Sequence, residues 1–460
     1  MAIMGKGKGS GTPPERGPER PQTRIAAQVD LILAGLEGSE AVYPPGGNPA
    51  DGPAYLAHSS RLLVRDADVP RVNDAIERYV RTRDDGKKAR RSTEPATGDV
   101  AVASRNGLTR LPRDSRLVSN QEALDAVDAE LGRGVLTPDH VFYVTAASSC
   151  CPAKEPEPAA AGQGPVPAVR APSYPSCCDG AGALVSVIDT GLFPGAADPW
   201  WMAGVSGDLE LPYKDTGVHQ IRPYAGHGAF CAGTVRTVAP KAAVHVENAF
   251  EVLHTHPDGS VHDHGAGAAY ESDLADQAVE ALQRGPDILC LAFGTPTRAQ
   301  LAPLGFETLR QMVEQRKGIV VVAAAGCDGS REPFWPAATP WTLSVGSLDA
   351  GGRARAPWSN FGGWVDVYVP GENLVNVFPS GEYVCTEPPD TGQVRTFAGL
   401  ASWSGTSFSC ALMGGLIAAR MSATGENAPQ AAQSLLALAR AQALPGVGSV
   451  LYPGQGCTGC

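Results

Sequence analysis

The sequence predicts an α/β protein: a parallel sheet with helices on both faces, preceded by a small α+β domain. Three observations point there. From residue 181 onward, short apolar runs alternate with amphipathic stretches. Residues 58–147 carry a strand–helix pattern twice. A Pro/Ala-rich stretch over 148–180 separates the two regions. At 460 residues the chain exceeds one ordinary compact core, so more than one domain is expected.

Residues 1–57 are rich in Gly and Pro and polar, and are expected to be unstructured. Their best apolar run, "VDLILAG", is far too short to cross a membrane. Over 58–147 the first strand–helix copy is "SRLLVRDADVPRVNDAIERYV". The second is "GLTRLPRDSRLVSNQEALDAVDAELG", followed by the strand "HVFYVTA". Between them, "RTRDDGKKARRSTEPATGD" reads as a solvated loop or a basic contact or processing site. The linker over 148–180 has a Cys-Cys pair at each end.

The larger domain is expected over 181–445. Strand "ALVSVI" leads to a helix near "GHGAFCAGTVR", then to strand "AAVHVEN". Helix "YESDLADQAVEALQR" leads to strand "DILCLAF", and helix "FETLRQMVEQRK" to strand "GIVVVAAAG". Such alternation predicts parallel strands buried on both faces, and sites on such sheets lie outside the carboxyl ends of the strands. Residues 446–460 are expected to be a tail ending in "CTGC", whose Cys457 and Cys460 lack a second pair nearby.

The net charge of −11 argues against a general nucleic-acid binder. The first 24 residues show no apolar signal region, which gives the expectation of a cytoplasmic chain with free thiols among its 11 cysteines.

Three segments of the larger domain carry unusual chemistry. "VSVIDTGL" places Asp189 at the end of an apolar strand. "GHGAFCAGT" places His227 at the start of a helix. "WSGTSFSCALMGGLIAA" places Ser407 at the start of another. Singly, each has an ordinary structural reading: a helix cap, a structural histidine, an N-cap serine. Together they supply a nucleophile, a base with a pKa near neutrality and a carboxylate to orient it.

These segments resemble the subtilase family of serine peptidases, in type and in Asp–His–Ser order. "VAPKA" after the histidine segment and "SNFGGWVDVYVPGENL" ahead of the serine segment resemble the family too, so the likeness covers about 181–425. It implies a subtilisin-like sheet and serine endopeptidase activity on peptide or protein substrates, with Asp189, His227 and Ser407 as the triad. It also implies two substrate-binding edges. One is Gly265, Ala266 and Gly267 of "GAGAAY"; the other is Ala292, Phe293 and Gly294 of "LAFG". The chemistry needs no cofactor; the resemblance admits a structural calcium ion whose ligands are not legible. The α+β domain loosely resembles the family's inhibitory propeptide, with "LTPDHVFYVTAA" at its end; the alternative is a permanent regulatory domain.

The chain departs from the family at one position. Subtilases place an asparagine after "AAAG", and its amide donates to the oxyanion; here the residue is Cys327, and a thiol is a weak donor. Two readings follow: a slow or specialised peptidase, or a pseudoenzyme that binds peptides or a protein partner in the cleft. Asp328 would substitute as donor only if protonated and if the turn slipped by one residue. Four histidines, His254, His256, His262 and His264, form two H-x-H pairs around a Pro-Asp-Gly turn. They could converge on a metal, but the simpler reading is an exposed loop, so no metal site is assigned. Cys231, one helical turn after His227, and Trp403, before the serine segment, read as packing.

Overall fold

The computed structural model of the chain describes residues 24–47, 52–83, 102–103, 106–112, 118–144, 155–168, 178–214, 219–250, 253–255, 261–263 and 267–454. Seven strands form a wholly parallel sheet in the spatial order Val367–Pro370, Leu343–Leu348, Val320–Ala324, Ile288–Leu291, Leu184–Asp189, Ala243–Asn248 and Val205–Gly207.

The central strand Leu184–Asp189 shows why the pattern reads as continuous apolar sequence. A Cβ at Gly414, in helix Thr406–Thr424, would lie 3.9 Å from Val185. The next residue, Ser186, bonds Glu247, which Gln277 of helix Glu271–Gln283 reaches from the other side. Neighbouring strand residues point to opposite faces, so helices cover both. Helix His227–Val238 packs along Thr406–Thr424, and Glu271–Gln283 along Leu304–Gln315. In this register Asn248 lies beside Asp189, and Leu291 beside Ile188. The carboxyl ends of these strands therefore share one edge.

The smaller domain is an antiparallel sheet. Tyr55–Arg65 is flanked by Leu108–Pro112 and Leu136–Val144. Helices Val69–Arg83 and Asn120–Leu131 cover one face around Leu62, Val64, Val72, Ile76, Leu124 and Val127. Ser119 and Glu122 form a reciprocal capping box at the start of the second helix.

The expectation of an unstructured segment over 1–57 does not hold for its described part. Arg24–Gly35 is a helix and Ser39–Val42 a strand paired with Tyr55–Arg65. Ile25, Val29, Ile32 and Leu33 recur at helical spacing and pack on Leu56, Val141 and Tyr270. This apolar stripe outweighs the Gly/Pro-rich surroundings. Part of the linker is also ordered: Glu157–Pro158 pairs with Leu400–Trp403, and Val166 bridges Val375. The tail boundary at 446 is likewise too early, because Val450 and Leu451 are buried and Leu451 N donates to Tyr368 O. Cys457 and Cys460 lie outside the described residues. Among the described cysteines, Cys231, Cys290, Cys327, Cys385 and Cys410 are free, but Cys178 is disulfide-bonded, so the all-thiol expectation fails there. No helix among the described residues is long and apolar enough to cross a membrane.

Candidate active site

The shared edge of the sheet gathers the three segments. Asp189 is the last residue of its strand and is fully buried. His227 opens its helix behind Gly226, which holds φ +80° and where a Cβ would lie 2.6 Å from Pro379. Glycine satisfies both the left-handed turn and the close approach. Both carboxylate oxygens of Asp189 lie against His227 Nδ1, at 2.8 and 2.9 Å. Oδ1 also accepts from Thr190 N at 2.7 Å. This fixes the imidazole with its Nδ1 proton toward the carboxylate.

His227 Nε2 is buried and, among the described residues, makes no hydrogen bond. Ser407, second residue of its helix and fully buried, donates from Oγ to Ala292 O at 2.9 Å. Cys231 links the two helices: its Sγ lies 3.9 Å from His227 Nδ1 and 4.0 Å from Ser407 O. Burial, with Asp189 nearby, pushes the Cys231 thiol well up, so it stays protonated packing. Trp403 and Phe408 wall the imidazole, with ring centroids 5.4 and 5.2 Å from it.

The turn after "VVAAAG" is clamped by Asn360, from the segment ahead of the serine motif. Its Oδ1 accepts from Asp328 N and Ser330 N, both at 2.9 Å, and its Nδ2 donates to Ala325 O at 2.9 Å. Cys327 is 2 % exposed and packs on Ala356 and Trp358. Its Sγ lies 3.4 Å from both Thr406 N and Thr406 Oγ1, the residue before Ser407. Asp328 points elsewhere, lining a cavity of about 380 Å³ with Val29, Tyr143 and Phe334. Burial raises its carboxyl to about 6, against the Asn360 side chain that lowers it.

The two segments expected to bind substrate flank a strand of the chain itself. Leu136–Val144 pairs antiparallel with Ala268–Tyr270 on one side and with Phe293–Gly294 on the other. Val144 N donates to Gly267 O at 3.0 Å. Side chains alternate along this strand. Phe142 packs against Phe293 and Phe306, while Tyr143 turns toward Phe334, 6.2 Å between centroids. Buried polar contacts fasten the strand. Asp139 accepts from Ser272 N at 3.1 Å and Ser272 Oγ at 2.9 Å, capping helix Glu271–Gln283, and pairs with Arg61 at 2.6 Å. His140 Nδ1 meets Glu271 at 2.8 Å.

Gly267, Phe293 and Gly294 thus flank this strand and Ala292 O receives the Ser407 hydroxyl, whereas Gly265 and Ala266 lie outside the described residues. In the histidine segment, His254 pairs with His262 across a two-stranded antiparallel ribbon. The side chains of both, and residues 256 and 264 altogether, lie outside the described residues. Sequence reasoning missed several neighbours. Glu210, fully buried, accepts from Gly226 N at 2.9 and 3.0 Å, and burial pushes its carboxyl well up. Thr190 Oγ1 accepts from Gly228 N at 3.0 Å. Phe334 lies between Gly294 and Gly326. Glu210 is distant in sequence and sits in no motif, so nothing in the sequence marks it.

The fold is a parallel α/β sheet with Asp189, His227 and Ser407 gathered at one edge. The model of the subtilase family matches residues 180–448, and the chain belongs to that family, whose members are serine endopeptidases acting on peptides or proteins. Among its relatives, thermitase of Thermoactinomyces vulgaris is 28 % identical over 250 residues, 52 % of this chain and 82 % of the relative. Subtilisin DY of Bacillus licheniformis is 29 % identical over 214 residues, 44 % of this chain and 70 % of the relative. The crystal structure of fervidolysin from Fervidobacterium pennivorans, described as a keratinolytic enzyme related to subtilisin, shares the fold. Its TM-score is 0.54 at 14 % identity, covering 92 % of this chain and 63 % of that one.

Proposed function

We propose that Ser407 is the nucleophile, His227 the general base and acid, and Asp189 the carboxylate that orients it. The observation that carries this reading is the approach of both Asp189 oxygens to His227 Nδ1, which leaves the buried Nε2 without a hydrogen bond among the described residues. A serine hydroxyl attacks a carbonyl only once a base takes its proton. Rotation about Ser407 χ1 exchanges the Ala292 carbonyl for that base. His227 then protonates the leaving amine, and water repeats the cycle on the acyl-enzyme. The backbone N–H at the start of the Ser407 helix stabilises the oxyanion, aided by the helix dipole.

Cys327 stands where the family's amide donor would stand. A missing donor lowers kcat by about 10²–10³, so the enzyme turns over slowly. The N-terminal domain acts as an inhibitory segment: its strand Leu136–Val144 fills the cleft in the place of a substrate. Binding alone does not require Asp, His and Ser in this arrangement, which disfavours the pseudoenzyme reading. A fluorophosphonate probe tests the assignment. The chain, once cut between Val144 and Gly182, is expected to be labelled at Ser407, and Ser407→Ala to be silent; a folded, cut parent that resists the probe would overturn the proposal.

A further inference from the structure

We propose that Phe334 restricts this enzyme to substrates with a small residue on the acyl side of the bond that is cut. The inference rests on Ser407 being the nucleophile, and names the substrates that this nucleophile accepts.

The register of the docked strand locates the residue in question. Tyr143 pairs with Gly294 and Val144 with Phe293, antiparallel. A substrate laid in the same register therefore places its next residue beside Ala292, whose carbonyl receives the Ser407 hydroxyl. The acyl group attacked belongs to that residue. Side chains two apart on a strand share a face, so its side chain leaves on the face that Tyr143 uses, toward Phe334.

On that face the two strand ends that bound the opening are bare glycines, and the space between them is filled. A Cβ at Gly294 would lie 2.2 Å from Cε1 of Phe334, and a Cβ at Gly326 would lie 2.8 Å from its Cδ1. The phenyl ring is thus wedged between the segments that follow two adjacent parallel strands, Ile288–Leu291 and Val320–Ala324. It is 2 % exposed, and the Tyr143 ring meets it at 69° with centroids 6.2 Å apart. A ring packed against backbone on two sides does not move aside without overpacking its surroundings. A methyl or hydroxymethyl group fits above it; a phenyl or isobutyl group does not.

The chain's own sequence agrees independently. The residue that follows Val144 is Thr145, and Ala146, Ala147 and Ser148 come next. The docked strand thus leads into small residues, whereas its other face carries Phe142, seated against Phe293 and Phe306. The preferred substrate combines an aromatic residue three positions upstream with a small residue at the cut.

The test compares the coumarylamides acetyl-Phe-Tyr-Val-Ala and acetyl-Phe-Tyr-Val-Phe on the full chain, with competent sites counted by fluorophosphonate titration. The alanine substrate is expected to have the higher kcat/KM by about 100-fold, the scale of a steric mismatch in an apolar pocket. Phe334→Ala should raise kcat/KM for the phenylalanine substrate relative to the alanine substrate by at least about 10-fold. Phe334→Leu, which keeps the site apolar and filled, should fall between and serves if the alanine variant does not fold. Equal cleavage of both substrates by the parent, or an unaltered ratio in a folded Phe334 variant, overturns the proposal while the nucleophile assignment stands. A folded parent, cut between Val144 and Gly182, that takes up no fluorophosphonate overturns that assignment and this inference with it.

Discussion

Glu387→Gln should stabilise the protein at neutral pH and do nothing at pH 4. Glu387 is 6 % exposed, its Oε2 makes no hydrogen bond among the described residues, and it lies beside Glu155. Glu155 holds the ordered part of the linker. It accepts from Tyr383 OH at 2.9 Å, Thr386 N at 2.7 Å and Thr386 Oγ1 at 3.0 Å. The charges of Arg24 and Arg395 lower the Glu387 pKa only in part; Arg24 Nε donates to Pro388 O, and Arg395 pairs with Asp390. Burial, then the Glu155 charge, push Glu387 up to about 8 from 4.5.

An acid whose folded pKa is raised binds more protons folded than unfolded. Stability therefore falls as pH rises between the two values, by about 1.4 kcal/mol per pH unit, and is level outside them. The penalty is nil near pH 4, about 3 kcal/mol at pH 7, and about 4–5 kcal/mol once pH exceeds the folded value. Glutamine removes the titration and keeps the shape. Urea unfolding from pH 4 to 9, in a Ser407→Ala background that prevents self-digestion, measures the difference between Glu and Gln. It should grow from near zero at pH 4 and level off above pH 8. A difference independent of pH, or a glutamine variant less stable at pH 7, would show that Glu387 is ionised and paired in the fold, and would refute the reasoning.

Two further outcomes are expected. Cys327→Asn should raise kcat on a peptide anilide by about 10²-fold by restoring an amide donor; an unchanged rate would mean that residue 327 does not reach the oxyanion. Intact-mass analysis of the purified active chain should reveal a break between Val144 and Gly182 that Ser407→Ala lacks. A permanently intact active chain would instead make the N-terminal domain a retained regulator.

Much of this protein was legible because its chemistry is local in sequence. The strand ending in Asp189, the helix opening at His227 and the helix opening at Ser407 each announce themselves by an apolar run meeting a polar residue and glycine. Strand–helix alternation dictates the parallel sheet, and such a sheet puts all three at one edge.

Only tertiary structure decided what comes from distant parts of the chain. Composition marked residues 24–42 as loose, yet an apolar stripe on Arg24–Gly35 becomes binding energy once Leu56, Val141 and Tyr270 present a surface. Glu210, Asn360, Phe334 and Glu387 lie outside the segments of Asp189, His227 and Ser407, and their contacts depend on burial and on partners brought close by folding. The docking of Leu136–Val144 is of the same kind. An alternating strand can pair with any free edge, and only the assembled cleft, with Asp139 capping Glu271–Gln283, selects this one. Sequence determines side-chain chemistry and local periodicity; which groups lose their water, and which charges face each other, is settled by the packing of distant segments.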